Sequence, residues 1–232
     1  MKSYAFFGGA FDPIHLGHLK SLVEIQKRIG FTKIFVLPYN ISPTGKTPVA
    51  TADQRLAMAS TAIDSLISSN DADERSSLYS SLGIEKLDLQ RVAPAYTYNS
   101  LQELRRFYDD EQGEECHISF IMGDDCYASL HLWHKWDALC EIANLLVINR
   151  DNISPAPQVL AHENMRLIMD LADSTMRESF LRQSKGCIAK LELPLVKVSS
   201  SKVRNLLAAN EDLSGLVMPT VINYINKNKL YA

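Results

Sequence analysis

The sequence of 232 residues predicts an α/β fold, a doubly wound parallel sheet with a C-terminal helical segment. Three observations lead there. An apolar run at residues 4–7 meets Gly8-Gly9 and then a helical stretch. A second apolar run at residues 33–37 follows that helix, a βαβ spacing whose right-handed crossover makes the two strands parallel. Two later apolar runs, 117–122 and 145–149, end in Gly123-Asp124-Asp125 and in Arg150, so polar groups gather at strand carboxyl ends, where such sheets bind ligands.

The chain is organised around residues 4–20, YAFFGGAFDPIHLGHLK. Gly8 and Gly9, without Cβ atoms, are expected to bend the backbone and present N–H groups to a ligand. Asp12-Pro13 suits a turn that opens a helix near Ile14, running to Ile29 with Gly30 as its stop. His15 and His18 are three apart, share one helix face and are kept accessible by Gly17. A helix amino end with two imidazoles favours phosphate, so this stretch reads as a polyphosphate site.

Beyond the strand at 33–37, the loop at 38–48 carries Asn40 and Lys46. Gly45-Lys46-Thr47 imitates a P-loop ending, but Asn40 stands where that motif needs glycine, leaving Lys46 as a mobile cation. An N-capped helix is expected from Asp53 to Ile67, then a polar surface insertion at 68–81, a short strand at 85–91 and a helix over 97–108 with Thr97 at its start. Gly123 and Asp125 follow the next strand, where a carboxylate suits ribose hydroxyls and equally a helix cap. Trp133 suits stacking on a heterocycle and equally a core position. A helix around 164–172, a last strand at 193–198 and a closing helix at 217–231 complete the expectations. Ser199 and Ser200, with Arg204 one turn on, form a second anion-binding helix start.

Composition narrows the function. Hydrophobic residues make up 46% and charged residues 22%, and the net charge of −3 speaks against a dedicated nucleic-acid binder. The length suits a single domain over 1–232, with 199–232 as its C-terminal helical part. Cys116, Cys126, Cys140 and Cys187 show no CxxC spacing, so neither zinc nor a disulfide framework follows, and His131, His134 and Cys126 lack a fourth ligand. No metal site is expected. No run suits a membrane span or a signal-peptide core, and a reducing cytoplasm fits.

The string GGAFDPIHLGH closely resembles the HxGH signature of the nucleotidylyltransferase superfamily. The chain is similar to bacterial nicotinate-nucleotide adenylyltransferases in Ala95-Tyr96-Thr97 with Leu101, in Gly123, Asp125 and Trp133, in the segment from Val198 to Arg204, and in Val221 to Tyr231. That resemblance implies a Rossmann-like fold and transfer of AMP from ATP, carried with Mg²⁺, to a pyridine mononucleotide. It places His15, His18, Lys46 and Arg204 at the reacting phosphates, and Gly8, Gly9, Phe11, Gly123, Asp125, Arg150, Ser199 and Ser200 around ATP. Asn40, Thr97, Trp133 and His134 fall to the mononucleotide. Ala10 replaces the usual hydroxyl after Gly-Gly, and Ala95 replaces Ser. Nicotinate and nicotinamide both remain open as bases, as do a phosphopantetheine acceptor, a nucleotide-binding regulator without turnover, and a homo-oligomeric state.

Overall fold

Seven strands form one sheet, in the order β3-β2-β1-β4-β5-β7-β6, in a computed structural model that describes residues 1–68, 80–149, 154–162, 168–194 and 196–231. They are β1 (Ser3–Gly9), β2 (Lys33–Pro38), β3 (Leu82–Ile84), β4 (His117–Gly123), β5 (Asn144–Ile148), β6 (Ile168–Asp170) and β7 (Ile188–Leu191). The α-helices are α1 (Leu16–Ile29), α2 (Ala52–Ser68), α3 (Thr97–Gln112), α4 (Asp124–Ala128), α5 (Pro157–Ala161), α6 (Ser174–Leu181), α7 (Ser200–Ala208) and α8 (Pro219–Lys227). β1 pairs in parallel with β4, Ser3 to Phe7 against His117 to Ile121, and β4 with β5, β5 with β7 and β7 with β6 are parallel too. Strand order reverses between β1 and β4, the switch point at which a doubly wound sheet leaves a crevice for ligand. The expected α/β architecture, with helices closing the C-terminal part, is the one observed.

The chain divides into two compact units. One comprises Met1–Gly8, Phe31–Phe35 and Ala95–Pro194; the other comprises Gly9–Gly30, Val36–Pro94 and Leu195–Ala232. In the first, β4 and β5 are buried along their whole length, as strands covered on both faces must be. Tyr108 of α3 packs on Tyr4 and Phe6, with ring centroids 4.2 and 5.6 Å away. At the amino ends of β4 and β5 lies a buried polar network. The Gln183 carbonyl, 2.6 Å from His117 Nδ1, can only accept, so the ring proton sits on Nδ1 and Nε2 accepts from the Ser119 hydroxyl at 2.6 Å. Asn144 Nδ2 donates to the carbonyls of Gln183 and Ser184, and Arg105 donates to those of Ile142, Cys116 and Ser184. Burial pushes the His117 pKa down to about 4.

In the second unit α1 buries Leu19, Leu22, Ile25 and Ile29, and Gly30 stops it in the left-handed region at φ 77° with its N–H on the Gln26 carbonyl. α2 and α8 pack together, with the Ser65 and Thr220 hydroxyls 2.9 Å apart. The cap of α2 is Thr51 rather than Asp53: Gln54 N–H donates to Thr51 Oγ1 while Thr51 N–H donates to Gln54 Oε1.

Several expectations need correction. The strand expected at 85–91 is a 3-10 turn at Leu87–Leu89, preceded by β3. Glu85 Oε1 accepts the N–H groups of Lys86 and Leu87, and Arg91 closes on Asp88 at 2.7 Å, so local bonds take what a ladder would need. The last strand is β7, not 193–198; Pro194 has no N–H to extend the ladder, and Leu193 N–H turns to Asn149 Oδ1. Where a helix was expected around 164–172, residues 168–170 form β6, since pairing with β7 outweighs a weak helical period. Most of the 68–81 insertion, and residues 163–167, lie outside the described residues.

Candidate active site

The helix α1 begins at Leu16, two residues later than expected, because His15 is its cap and Pro13 stands outside it. The two imidazoles cap reciprocally. His15 Nδ1 accepts from His18 N–H at 3.4 Å, and His18 Nδ1 accepts from His15 N–H at 3.3 Å. With both Nδ1 atoms serving as acceptors, each neutral ring carries its proton on Nε2. The rings stack at 3.6 Å, and His15 is buried. Gly17 is needed for this: a Cβ there would lie 3.0 Å from the His15 ring and 2.9 Å from Val198 Cγ1.

The glycines act differently from the expectation. β1 runs straight through Gly8 and Gly9, and the left-handed residue of the loop is Phe11, at φ 51°. Gly8 is required by close packing, since a Cβ would fall 2.6 Å from Phe120 Cζ. Phe11, buried, sets its ring edge-on to His18 at 5.0 Å.

Two arginines of the second unit, Arg204 and Arg55, bond to this loop. Arg204 of α7 donates from Nη1 to the Asp12 carbonyl at 2.6 Å and from Nη2 to Ser201 Oγ at 3.2 Å. Ser199 caps α7 by accepting from Lys202 N–H, while the Ser200 hydroxyl donates to the Pro13 carbonyl, tying α7 to the histidine loop. Lys46 stands exposed on its loop. Asn40 donates one side-chain N–H to the Arg91 carbonyl and its backbone N–H to the Asp88 carbonyl, which fixes the amide on its loop.

In the first unit Gly123 is the buried cap residue of α4, and Asp125 in the first turn of α4 is exposed. Thr97 opens α3, whose amino end has no side-chain cap. The exposed His134 ring lies 4.6 Å from Tyr96 and 6.5 Å from Tyr98, the residues on either side of Thr97, and Lys135 Nζ sits 4.7 Å over the Tyr98 ring. Trp133 is half-buried, edge-on to Phe120 at 6.1 Å, which keeps part of its indole face accessible. Arg150 lies outside the described residues. Cys140, buried, has its thiol pushed up to about 12, and burial raises Cys116 and Cys187 also, which makes them core residues rather than nucleophiles.

Residues 6–206 match the cytidylyltransferase-like family. The chain belongs to that family. Among curated relatives, a probable nicotinate-nucleotide adenylyltransferase of Pectobacterium atrosepticum is 32% identical over 227 residues, covering 98% of this chain and 97% of the relative. A probable nicotinate-nucleotide adenylyltransferase of Yersinia pestis is 31% identical over 231 residues, covering 98% and 94%. The chain thus sits among the nicotinate-nucleotide adenylyltransferases. A solved structure of Plasmodium falciparum nicotinic acid mononucleotide adenylyltransferase complexed with NaAD superposes with a TM-score of 0.70 at 19% identity, covering 100% of this chain and 98% of that one, a likeness of fold.

Sequence reasoning missed the roles of three polar residues beside the histidine loop. Asp12, read as a turn residue, is a buried acceptor: Oδ2 takes Val49 N–H at 2.7 Å, and Oδ1 takes Ala50 N–H at 3.0 Å and the Tyr231 hydroxyl at 2.7 Å. Arg55, 1% exposed, donates to the carbonyls of Ala10 and Ala50 and so fastens the histidine loop to the Lys46 loop. A signal existed for Arg55, which falls in register with the buried Met58, Ala59, Ala62 and Ile63 of α2. For Tyr231 the signal was the resemblance of the segment Val221 to Tyr231, which marked the residue without its bond to Asp12.

Proposed function

We propose that the chain transfers the adenylyl group of ATP to nicotinate mononucleotide, forming deamido-NAD and pyrophosphate. An oxygen of the mononucleotide 5′-phosphate attacks the α-phosphorus in line, the bond from that phosphorus to the bridging oxygen breaks, and pyrophosphate leaves with the bond electrons. The attacking phosphate is already a nucleophile, so the protein's work is alignment of two anions and stabilisation of charge. His15 and His18 donate from Nε2 toward the reacting phosphates at the amino end of α1, Arg204 and Lys46 neutralise the departing pyrophosphate, and Ser199 and Ser200 present the amino end of α7. Gly8, Gly9, Phe11, Gly123 and Asp125 receive the rest of ATP, and Asn40, Thr97, Trp133 and His134 receive the mononucleotide.

The histidine pair carries the chemistry, because the reciprocal cap fixes both rings and their donor nitrogens in advance. The amino end of α3 supports the acid over the amide: its first-turn amides carry no side-chain cap, and Lys135 adds positive charge beside Tyr98, an environment that suits a carboxylate. Mg²⁺ would enter with the nucleotide substrate and would supply positive charge against the phosphates. Asp12, the carboxylate of the histidine loop, fits that arrangement, since it is occupied by two amides and a hydroxyl. Among the described residues no helix is long and apolar enough to cross a membrane, and we place the enzyme in the cytoplasm.

The test is product analysis: ATP, Mg²⁺ and nicotinate mononucleotide should give deamido-NAD and pyrophosphate in equal amounts. His18→Ala should lower kcat by about 100-fold or more, while the lost half of the cap costs only about 1 kcal/mol of stability. An unchanged kcat would remove the histidines from the mechanism.

A further inference from the structure

We propose that Asp12 and Tyr231 are positioning residues that hold Arg204 ready for phosphate. The chemistry lies in how the Asp12 carboxylate is shared. A carboxylate has about four acceptor positions. Three are taken, by the N–H groups of Val49 and Ala50 and by the Tyr231 hydroxyl. One position remains, yet Arg204 pairs with the carboxylate only at long range: Nη1 lies 3.7 Å from Oδ2 and donates to the backbone carbonyl of the same residue at 2.6 Å. The backbone bond fixes the guanidinium while its ion pair with the carboxylate stays long, so its charge is only partly compensated.

Tyr231 makes this arrangement durable. Burial and the adjacent Asp12 carboxylate raise the pKa of its phenol, so it remains a donor across the working pH range. Arg55 braces the same point from the other side, with Nε on the Ala50 carbonyl and Nη1 on the Ala10 carbonyl. The loop that carries Lys46 is held by Asp12 through the N–H groups of Val49 and Ala50, so the same carboxylate also anchors that loop. Without the hydroxyl, Oδ1 gains a vacant lone pair, the carboxylate rotates toward Arg204, and a close ion pair competes with the anionic substrate. This inference rests on the reading that Arg204 contacts the ATP phosphates.

The experiment is steady-state kinetics of the full chain with ATP varied at saturating nicotinate mononucleotide, and the reverse. Tyr231→Phe should raise KM for ATP about five- to tenfold, leave KM for the mononucleotide within about twofold, and have little further effect once Arg204→Ala is present. Asp12→Asn, which places an NH₂ against an amide donor, should show the same selectivity more strongly if it folds; Tyr231→Phe decides the matter if it does not. Equal changes in both KM values, wild-type kinetics, or effects that simply multiply with those of Arg204→Ala would overturn the positioning role. If Arg204→Ala alone left the ATP parameters unchanged, the phosphate reading of Arg204 would fall, and the positioning role with it.

Discussion

Gly17 shows how tightly single positions are set. Its Cβ would meet the His15 ring at 3.0 Å and Val198 at 2.9 Å, so Gly17→Ala must displace the stacked imidazoles or the start of α7. We expect a loss of about 1–3 kcal/mol in urea unfolding together with a fall in kcat larger than that of an exposed helix substitution. Arg55→Met would leave the Ala10 and Ala50 carbonyls without their donor in a buried place, a cost of about 2–4 kcal/mol measurable in the same assay. The histidines were legible because their chemistry lies in short-range spacing. Asp12 was not, because its partners are 37 and 219 residues away and nothing local marks a carboxylate that faces inward.

At the scale of elements, the amino end of β4 carries a pH dependence. The His117 pKa falls from 6.5 to about 4 on burial, so the folded chain prefers the neutral ring. Between pH 6.5 and about 4 the unfolded chain binds more protons, and stability is lost as the pH falls through that window. This group's share is on the order of 3 kcal/mol, present in full above that window and gone below it. Urea midpoints between pH 7 and 4.5 should drop more steeply for the wild type than for His117→Gln; parallel curves would contradict the assignment. Elements rich in buried apolar residues, β1, β2, β4 and β5, were read correctly from the sequence because burial on both faces leaves a continuous apolar run. β3, β6 and β7 were misplaced or missed because short strands near the sheet edges are defined by what they pair with, and a hydropathy pattern carries neither the backbone bonds of Glu85 and Asp170 nor the N–H that Pro194 lacks.

For the whole molecule, the doubly wound sheet follows from one βαβ unit and from where the polar loops fall, and its reversal between β1 and β4 puts Gly8 and Gly123 at neighbouring strand ends. The chemistry was legible through GGAFDPIHLGH; the bonds that join Asp12, Arg55 and Tyr231 into a framework came only from the fold. The central claim is adenylyl transfer to the acid form of the pyridine mononucleotide. The most direct measurement is the initial rate of pyrophosphate release with ATP and Mg²⁺, comparing kcat/KM for nicotinate mononucleotide, nicotinamide mononucleotide and phosphopantetheine. The account predicts a preference for nicotinate mononucleotide of about tenfold or more, roughly 1.4 kcal/mol of discrimination at the amino end of α3. Equal or better turnover of the amide would contradict the acid preference, and no release with any acceptor would contradict the enzyme.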